Sequence, residues 1–266
     1  MATVDGTPVE LNTTVPHIAR IYDYWLGGKD NFAVDREVAE EALAIMPSLA
    51  ARARANRAFL GRAVHYLAAE VGIRQFLDIG TGLPAANNTH EVAQRAAPDS
   101  RIVYVDNDPI VLIHAQALLT GNPEGATDYI DADARDTGKI LDKAAAILDF
   151  SRPVAVMLVA ILHCVPDEDD PLRIITTLRD AVPSGSHLVL SHPTKDTRTE
   201  QMTEVAARLN RMMPDKVTFR TYAEVARYFD GWELLEPGIV PTALWRPHST
   251  RPIEPKAMWA GVARKP

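Results

Sequence analysis

The stretch QFLDIGTGLPA, Gln75 to Ala85, decides the fold. QFLDI is a short, largely apolar run of the kind that becomes a strand buried on both faces. Two glycines one residue apart follow it, so the chain can turn tightly and bring its backbone close to a ligand. A helix is expected to begin near Ala86 or Asn87, and its first turn offers free N–H groups and the positive end of a dipole. Strand, glycine turn and helix together form the ligand-binding corner of an open α/β sheet.

Reading outward from this corner, further apolar runs alternate with segments of helical period: RIVYVD (101–106), TDYIDA (127–132), PVAVMLVAIL (153–162) and HLVLSH (187–192). With the first run they predict five parallel strands, separated by helices near 86–97, 109–120, 136–149 and 171–182. A longer excursion, 196–230, has helical periodicity of its own. After it, WELLEPGIV (232–240) and AMWAGVARK (257–265) read as two strands whose connection, with Pro241, Pro247, Pro252 and Pro255, supplies no crossover helix. That pair is therefore expected to be antiparallel. Ahead of the sheet lie three helices. The first carries Ile18, Ile21, Tyr22 and Trp25 and ends at Gly27-Gly28; the second runs from Asp35 to Met46; the third runs from Leu49 to Val71, with Leu60, Val64, Leu67 and Val71 as its stripe. The chain thus divides into a helical extension, 1–71, and a sheet domain, 72–266.

Composition narrows the function. With 266 residues, 47% apolar and 24% charged, the chain is long enough to bury a large core. A net charge of -7 gives no overall field for phosphate backbones, which argues against nucleic acid. Cys164 is the only cysteine, so neither a disulfide framework nor a cysteine zinc site is expected. The polar start MATVDGTPVE and the shortness of every apolar run point to a cytoplasmic protein that does not enter a membrane. Neither a phosphate-binding P-loop nor the G-x-S-x-G elbow of the α/β-hydrolases occurs, and histidine spacing offers no metal motif. The acidic run Asp167 to Asp170 reads as a loop or helix start, and no metal is expected.

The glycine turn admits two readings. As G-x-G-x-x-A, with Asp106 ending the next strand, it fits a nicotinamide dinucleotide. Asp78, two residues before Gly80, is a poor neighbour for a pyrophosphate but a good one for a cationic ligand. The D-x-G-x-G turn, the acid at the end of strand two and the closing hairpin resemble the class I methyltransferases that use S-adenosyl-L-methionine. HIARIYDYWLGGKDNF (17–32), NTHEV (88–92), YVDNDP (104–109), LHCVPDED (162–169), Trp245-Arg246-Pro247 and GVARKP (261–266) are similar, more closely, to a bacterial family known as S-adenosyl methyltransferases. Pro84 departs from the usual third glycine and leaves the path after Gly82 open.

The resemblance implies a Rossmann-like, mostly parallel sheet and S-adenosyl-L-methionine as cofactor. Asp78, Gly80, Thr81 and Gly82 would receive its methionine end and Asp106 its ribose hydroxyls; Asn107, Asp133 and the Ala134 backbone would lie at the adenine, with Ala160 closing the set after strand four. For the cofactor's carboxylate, Asn56 or Arg57 on the third helix is expected, Arg52, Arg54 and Arg62 making that helix basic. Lys29 and Asn31, on the loop after Gly27-Gly28, would reach the ligand as part of a lid. His163 and His192, at the ends of strands four and five, are the candidate general bases. The acceptor is expected to be a small molecule, methylated on oxygen or nitrogen. A binding protein without transfer activity and a nicotinamide oxidoreductase are the alternatives.

Overall fold

The computed structural model describes residues 3–4, 7–8, 12–118, 121–247 and 258–266. The parallel strands lie where the apolar runs place them: β1 (Gln75–Ile79), β2 (Arg101–Asp106), β3 (Ala126–Asp131), β4 (Ala155–Val159) and β5 (His187–Pro193). Two short strands, β6 (Glu233–Leu234) and β7 (Val240–Pro241), and the terminal β8 (Met258–Arg264) complete the sheet. The order is β3-β2-β1-β4-β5-β8-β6, with β7 also on β8. β1 to β5 are mutually parallel, whereas β8 runs antiparallel to β5 and to β6 and β7. Strand order reverses beside β1, so the carboxyl ends of β1, β2 and β4 open onto one crevice.

Three expectations are corrected here. WELLEPGIV is two strands rather than one, because Gly238, at φ 82°, turns the chain between them. The fourth run is a strand only over Ala155–Val159, since Ala160 takes a left-handed backbone at φ 57° and starts a turn. Val71 leaves the stripe of the third helix: residues Leu67–Val71 form a wider π turn, which rotates Val71 out to 38% exposure. Residues 119–120 of the expected fifth helix, and Pro252 and Pro255 of the proline-rich connection, lie outside the described residues.

Helices α1 (Ile18–Leu26), α2 (Ala33–Ile45) and α3 (Leu49–Tyr66) precede the sheet. Its crossovers are α4 (Thr89–Ala96), α5 (Pro109–Leu118), α6 (Thr137–Ala144) and α7 (Pro171–Ala181). The excursion after β5 contains α8 (Thr199–Met212) and α9 (Tyr222–Ala226). One sheet face packs Leu77, Val103 and Leu158 against α6 and α7. The other packs Phe76, Ile102 and Met157 against α3 and α4, where Trp245 stands edge-on to Phe59 and Arg62 donates to the Trp245 and Thr242 carbonyls. A third cluster joins α1, α2 and the start of α3 to α8 through Ile21, Trp25, Ala42, Leu49, Met202 and Val205. α3 therefore serves two cores, its first half under α1 and α8 and its second half on the sheet.

Candidate active site

Gly80 and Gly82 both adopt left-handed backbone, at φ 73° and 67°. A Cβ on Gly80 would stand 2.4 Å from Ile161 Cγ1, so the turn needs glycine for conformation and for space alike. Gly80 and Thr81 donate their N–H groups to the Val105 carbonyl, and Gly82 donates to Asp106 Oδ2 at 2.8 Å. The following helix begins at Thr89, later than its expected start, with Asn88 and Glu91 forming a capping box. Pro84 thus lies in a longer loop, which Arg57 fastens by donating to Asn88 Oδ1 at 2.7 Å and to the Ala85 and Ala86 carbonyls.

Asp78 is buried at the end of β1. Its Oδ2 accepts from the Thr89 hydroxyl at 2.6 Å, and no cation touches it among the described residues. Burial raises its pKa to about 6 against the downward pull of Thr89 and Arg57. Asp106 is also buried and accepts from the Gly82 and Asp108 N–H groups; burial lifts its pKa as well. Asp133 is held differently. Hydrogen bonds from Arg135 keep its carboxyl below the usual range, and Asn107 Nδ2 approaches its Oδ2 at 3.4 Å.

A single cavity runs from these acids to the third core. Counted out through its mouth, with the open space there included, it holds about 1550 Å³. Its polar end is lined by Asp78, Gly80, Thr81, Gly82, Asp106, Asn107, Asp133, Ala134 and Ala160, with Asn56 and Arg57 above them. The other end is apolar, formed by Trp25, Leu49, Met202, Val205, Leu209 and Phe219, and His163 stands on its wall.

A family model described as S-adenosyl methyltransferase matches residues 5–266. The chain belongs to the S-adenosyl methyltransferase family. A DUF574 family protein from Streptomyces avermitilis, of known crystal structure, is 46% identical over 96% of this chain and 99% of its own, with a TM-score of 0.92. A suggested methyltransferase from Thermobifida fusca is 43% identical over 94% of this chain and 95% of its own, at a TM-score of 0.86. Likeness of fold extends to the magnesium protoporphyrin IX methyltransferase of Synechocystis, solved with bound S-adenosylhomocysteine: 13% identity, 92% and 93% coverage, TM-score 0.53. No curated protein matches the chain. This protein is thus an enzyme of the methyltransferase class whose cofactor is S-adenosyl-L-methionine.

The methyltransferase brings most of the expected site residues to one cavity and leaves three outside it. His192 is fully buried. Its Nδ1 donates to the Pro193 carbonyl at 2.7 Å and its Nε2 accepts from Arg220 at 3.1 Å, so both nitrogens are used in holding the end of β5. Lys29 is exposed and away from the cavity. Asn31 donates to Asp23 Oδ2 at 2.8 Å and to the Gly28 carbonyl, and accepts from Arg36, which makes it a clasp on its own loop. Asn56 faces the cavity, but its amide links Ser191 (2.6 Å) to the Tyr22 hydroxyl (3.0 Å), which donates onward to the Ala53 carbonyl. His163 remains available: its Nδ1 has no partner among the described residues, and burial, then the Arg220 charge, lowers its pKa to about 4.

In the acidic run, Asp167 pairs with Arg220, Asp169 with Arg135, and Asp170 caps α7. His17, Arg20, Asp35 and Asp108 form a cluster that sequence reading passes over. His17 stands just before α1, its Nδ1 lies 3.1 Å from Asp108 Oδ2, and Arg20 Nε stands 3.3 Å from Asp35 Oδ1. Burial alone would lower the His17 pKa, but the Asp108 and Asp106 carboxylates outweigh it and hold it above 6.5. This cluster ties the start of α1 to the loop after β2; the signal was a histidine just before a helix and the D-x-D spacing of Asp106 and Asp108.

Proposed function

We propose that the enzyme methylates an oxygen or nitrogen of a small molecule held between α1, α3 and α8, with Asp78 and Asp106 receiving the cofactor. One observation carries this reading: two buried carboxylates without an ion-pair partner among the described residues flank a glycine turn at the polar end of a cavity whose far end is apolar. Buried carboxylates are costly unless a ligand compensates them. A ligand with an ammonium group and a ribose diol does so, whereas a pyrophosphate would add charge of the same sign.

When bound, S-adenosyl-L-methionine supplies an electrophilic methyl group for in-line displacement. Asp78 faces the ammonium end and Asp106 accepts from the ribose hydroxyls. Asp133, with Asn107 and the Ala134 backbone, takes the adenine amine, since its carboxylate keeps acceptor capacity beyond Arg135. Gly80, Thr81, Gly82 and Ala160 allow close backbone approach, and Arg57 takes the cofactor's carboxylate while securing the loop. Asn56 positions Tyr22. His163, neutral and with an Nδ1 that has no partner among the described residues, hydrogen-bonds the acceptor and aligns it. The extension, residues 1–71, covers the cofactor through α1 and contributes Arg57, and residues 72–266 supply the rest of its binding site.

Calorimetry with S-adenosylmethionine, S-adenosylhomocysteine and NAD is the direct test. Binding of both adenosyl ligands and not of NAD is expected; NAD binding with no response to either adenosyl ligand would remove the proposal.

A further inference from the structure

At the apolar end of the cavity stands one side chain that does not fit its surroundings. Arg52 lines the cavity and is only 4% exposed, yet its Nε and Nη2 atoms have no hydrogen-bond partner among the described residues. Its remaining nitrogen, Nη1, donates only to Met202 Sδ at 3.0 Å, a weak acceptor. Arg198, at the start of α8, adds a like charge, and burial together with that charge brings the Arg52 pKa down to about 10, which still leaves it ionised near neutrality. A charged guanidinium among Leu49, Met202 and Val205 is costly to keep unless something pairs with it.

The free atoms are informative. Nε–H and the adjacent Nη2–H make up the side-on edge of the guanidinium, two parallel donors spaced to match the two oxygens of a carboxylate. The cofactor's own carboxylate has a nearer partner. Arg57 sits at the glycine loop, bonded to Asn88, while Arg52 lies five residues earlier on α3, about 7.5 Å further along the helix axis and against α8. We propose that Arg52 is the anion-binding residue of the acceptor site and that the acceptor is an apolar small molecule bearing a carboxylate. This rests on the reading of the polar end as the cofactor site. A carboxylate on this edge leaves the Nη1–Met202 contact in place.

The test uses matched probes on the full chain saturated with S-adenosylhomocysteine: 2-naphthoate against 2-naphthamide, and indole-3-acetate against indole-3-acetamide, titrated by calorimetry or ligand-observed NMR. Each carboxylate is expected to bind at least tenfold more tightly than its amide. In Arg52→Met, which keeps the volume, the preference falls below twofold while affinity for S-adenosylhomocysteine stays within twofold; Arg52→Lys, which keeps the charge and loses the fork, is intermediate. Equal binding of acid and amide to the unaltered protein, or no saturable binding at millimolar concentration, overturns the proposal without any variant. A preference that survives in Arg52→Met overturns it too, and a tenfold loss of S-adenosylhomocysteine affinity in that variant assigns Arg52 to the cofactor instead. If the unaltered protein binds no adenosyl ligand, the cofactor reading fails, and the acid–amide ratio is then read on the protein alone.

Discussion

Replacing Asp78 with Asn should make the empty protein more stable and the enzyme worse. Burial holds the Asp78 pKa at about 6 in the fold against 3.8 for an ordinary aspartate. The sign follows from proton linkage. Between those two values the folded state keeps a proton that the unfolded chain has released, so stability falls as pH rises from about 4 through 6 and levels off above. The interval corresponds to about 3 kcal/mol of destabilisation near pH 7.5. The Asp78→Asn change removes the charge, and the new amide oxygen still accepts from the Thr89 hydroxyl that bonds the carboxylate at 2.6 Å. A gain of about 1–3 kcal/mol is expected, roughly 2–10 °C in Tm for a chain of this size, narrowing at pH 5.5. Binding moves the other way: a charge-assisted contact is worth about 1.5–3 kcal/mol, so S-adenosylmethionine affinity should fall ten- to a hundredfold. Ligand at about a hundred times the parent Kd adds about 2.7 kcal/mol to the unaltered protein and about 0.4–1.4 kcal/mol to the variant, which narrows or reverses the difference in Tm. Thermal melts at pH 5.5 and 7.5, with and without ligand, read all of this. A variant that melts lower than the parent without ligand at pH 7.5, or that binds S-adenosylmethionine as tightly, would refute the reasoning.

Asp106→Ala should lower S-adenosylhomocysteine affinity at least tenfold by calorimetry in a protein whose circular dichroism is unchanged; an unaltered Kd would move the ribose site elsewhere. His163→Gln, which keeps a hydrogen-bonding group, should retain more turnover than His163→Ala, and the pH profile should show no inflection from His163 between pH 5 and 8 because its pKa lies near 4. His192→Asn should instead lower Tm while leaving the KM for the cofactor within about twofold, as loss of a buried hydrogen-bonded group costs about 1–3 kcal/mol. The His17–Asp108 contact, at 3.1 Å, contributes stability that is complete below pH 6.5 and lost as pH rises through the elevated His17 pKa. Amide exchange in residues 17–26 should therefore quicken from pH 6 to pH 8.5, after correction for intrinsic rates, more than exchange in β1; equal change in both would deny the contact a holding role.

The sheet was legible because its strands are short apolar runs separated by helical segments, a pattern set by local chemistry. The acids at the ends of β1 and β2 were legible for the same reason, since each terminates such a run beside a turn. What sequence could not provide was the partner of each polar side chain. Asn31 and His192 have suitable chemistry and suitable places in the chain, but Asp23 in one case and Pro193 with Arg220 in the other occupy their hydrogen-bonding atoms. Pro84 had the opposite effect: it signalled an altered path, and the loop through Asn88 that Arg57 secures is that path.

The expected lid narrows for the same physical reason. Its loop residues Lys29 and Asn31 point their chemistry elsewhere, while α1 itself borders the cavity through Ile18, Tyr22 and Trp25. Among the contacts that hold α1 are those of His17 with Asp108, of Tyr22 with α3, and of Trp25 Nε1 with the Ala39 carbonyl. The first of these reaches the loop beyond Asp106 and the second passes through Asn56 to Ser191 on β5. Closure over the cofactor would accordingly register along α1 rather than at the Gly27-Gly28 turn. Hydrogen exchange separates the two: adding S-adenosylhomocysteine should slow residues 17–26 and the loop from Gly80 to Ala85 together, with residues 28–32 unchanged. Protection confined to Gly80–Ala85 would leave α1 as a fixed brace between the two cores that α3 joins.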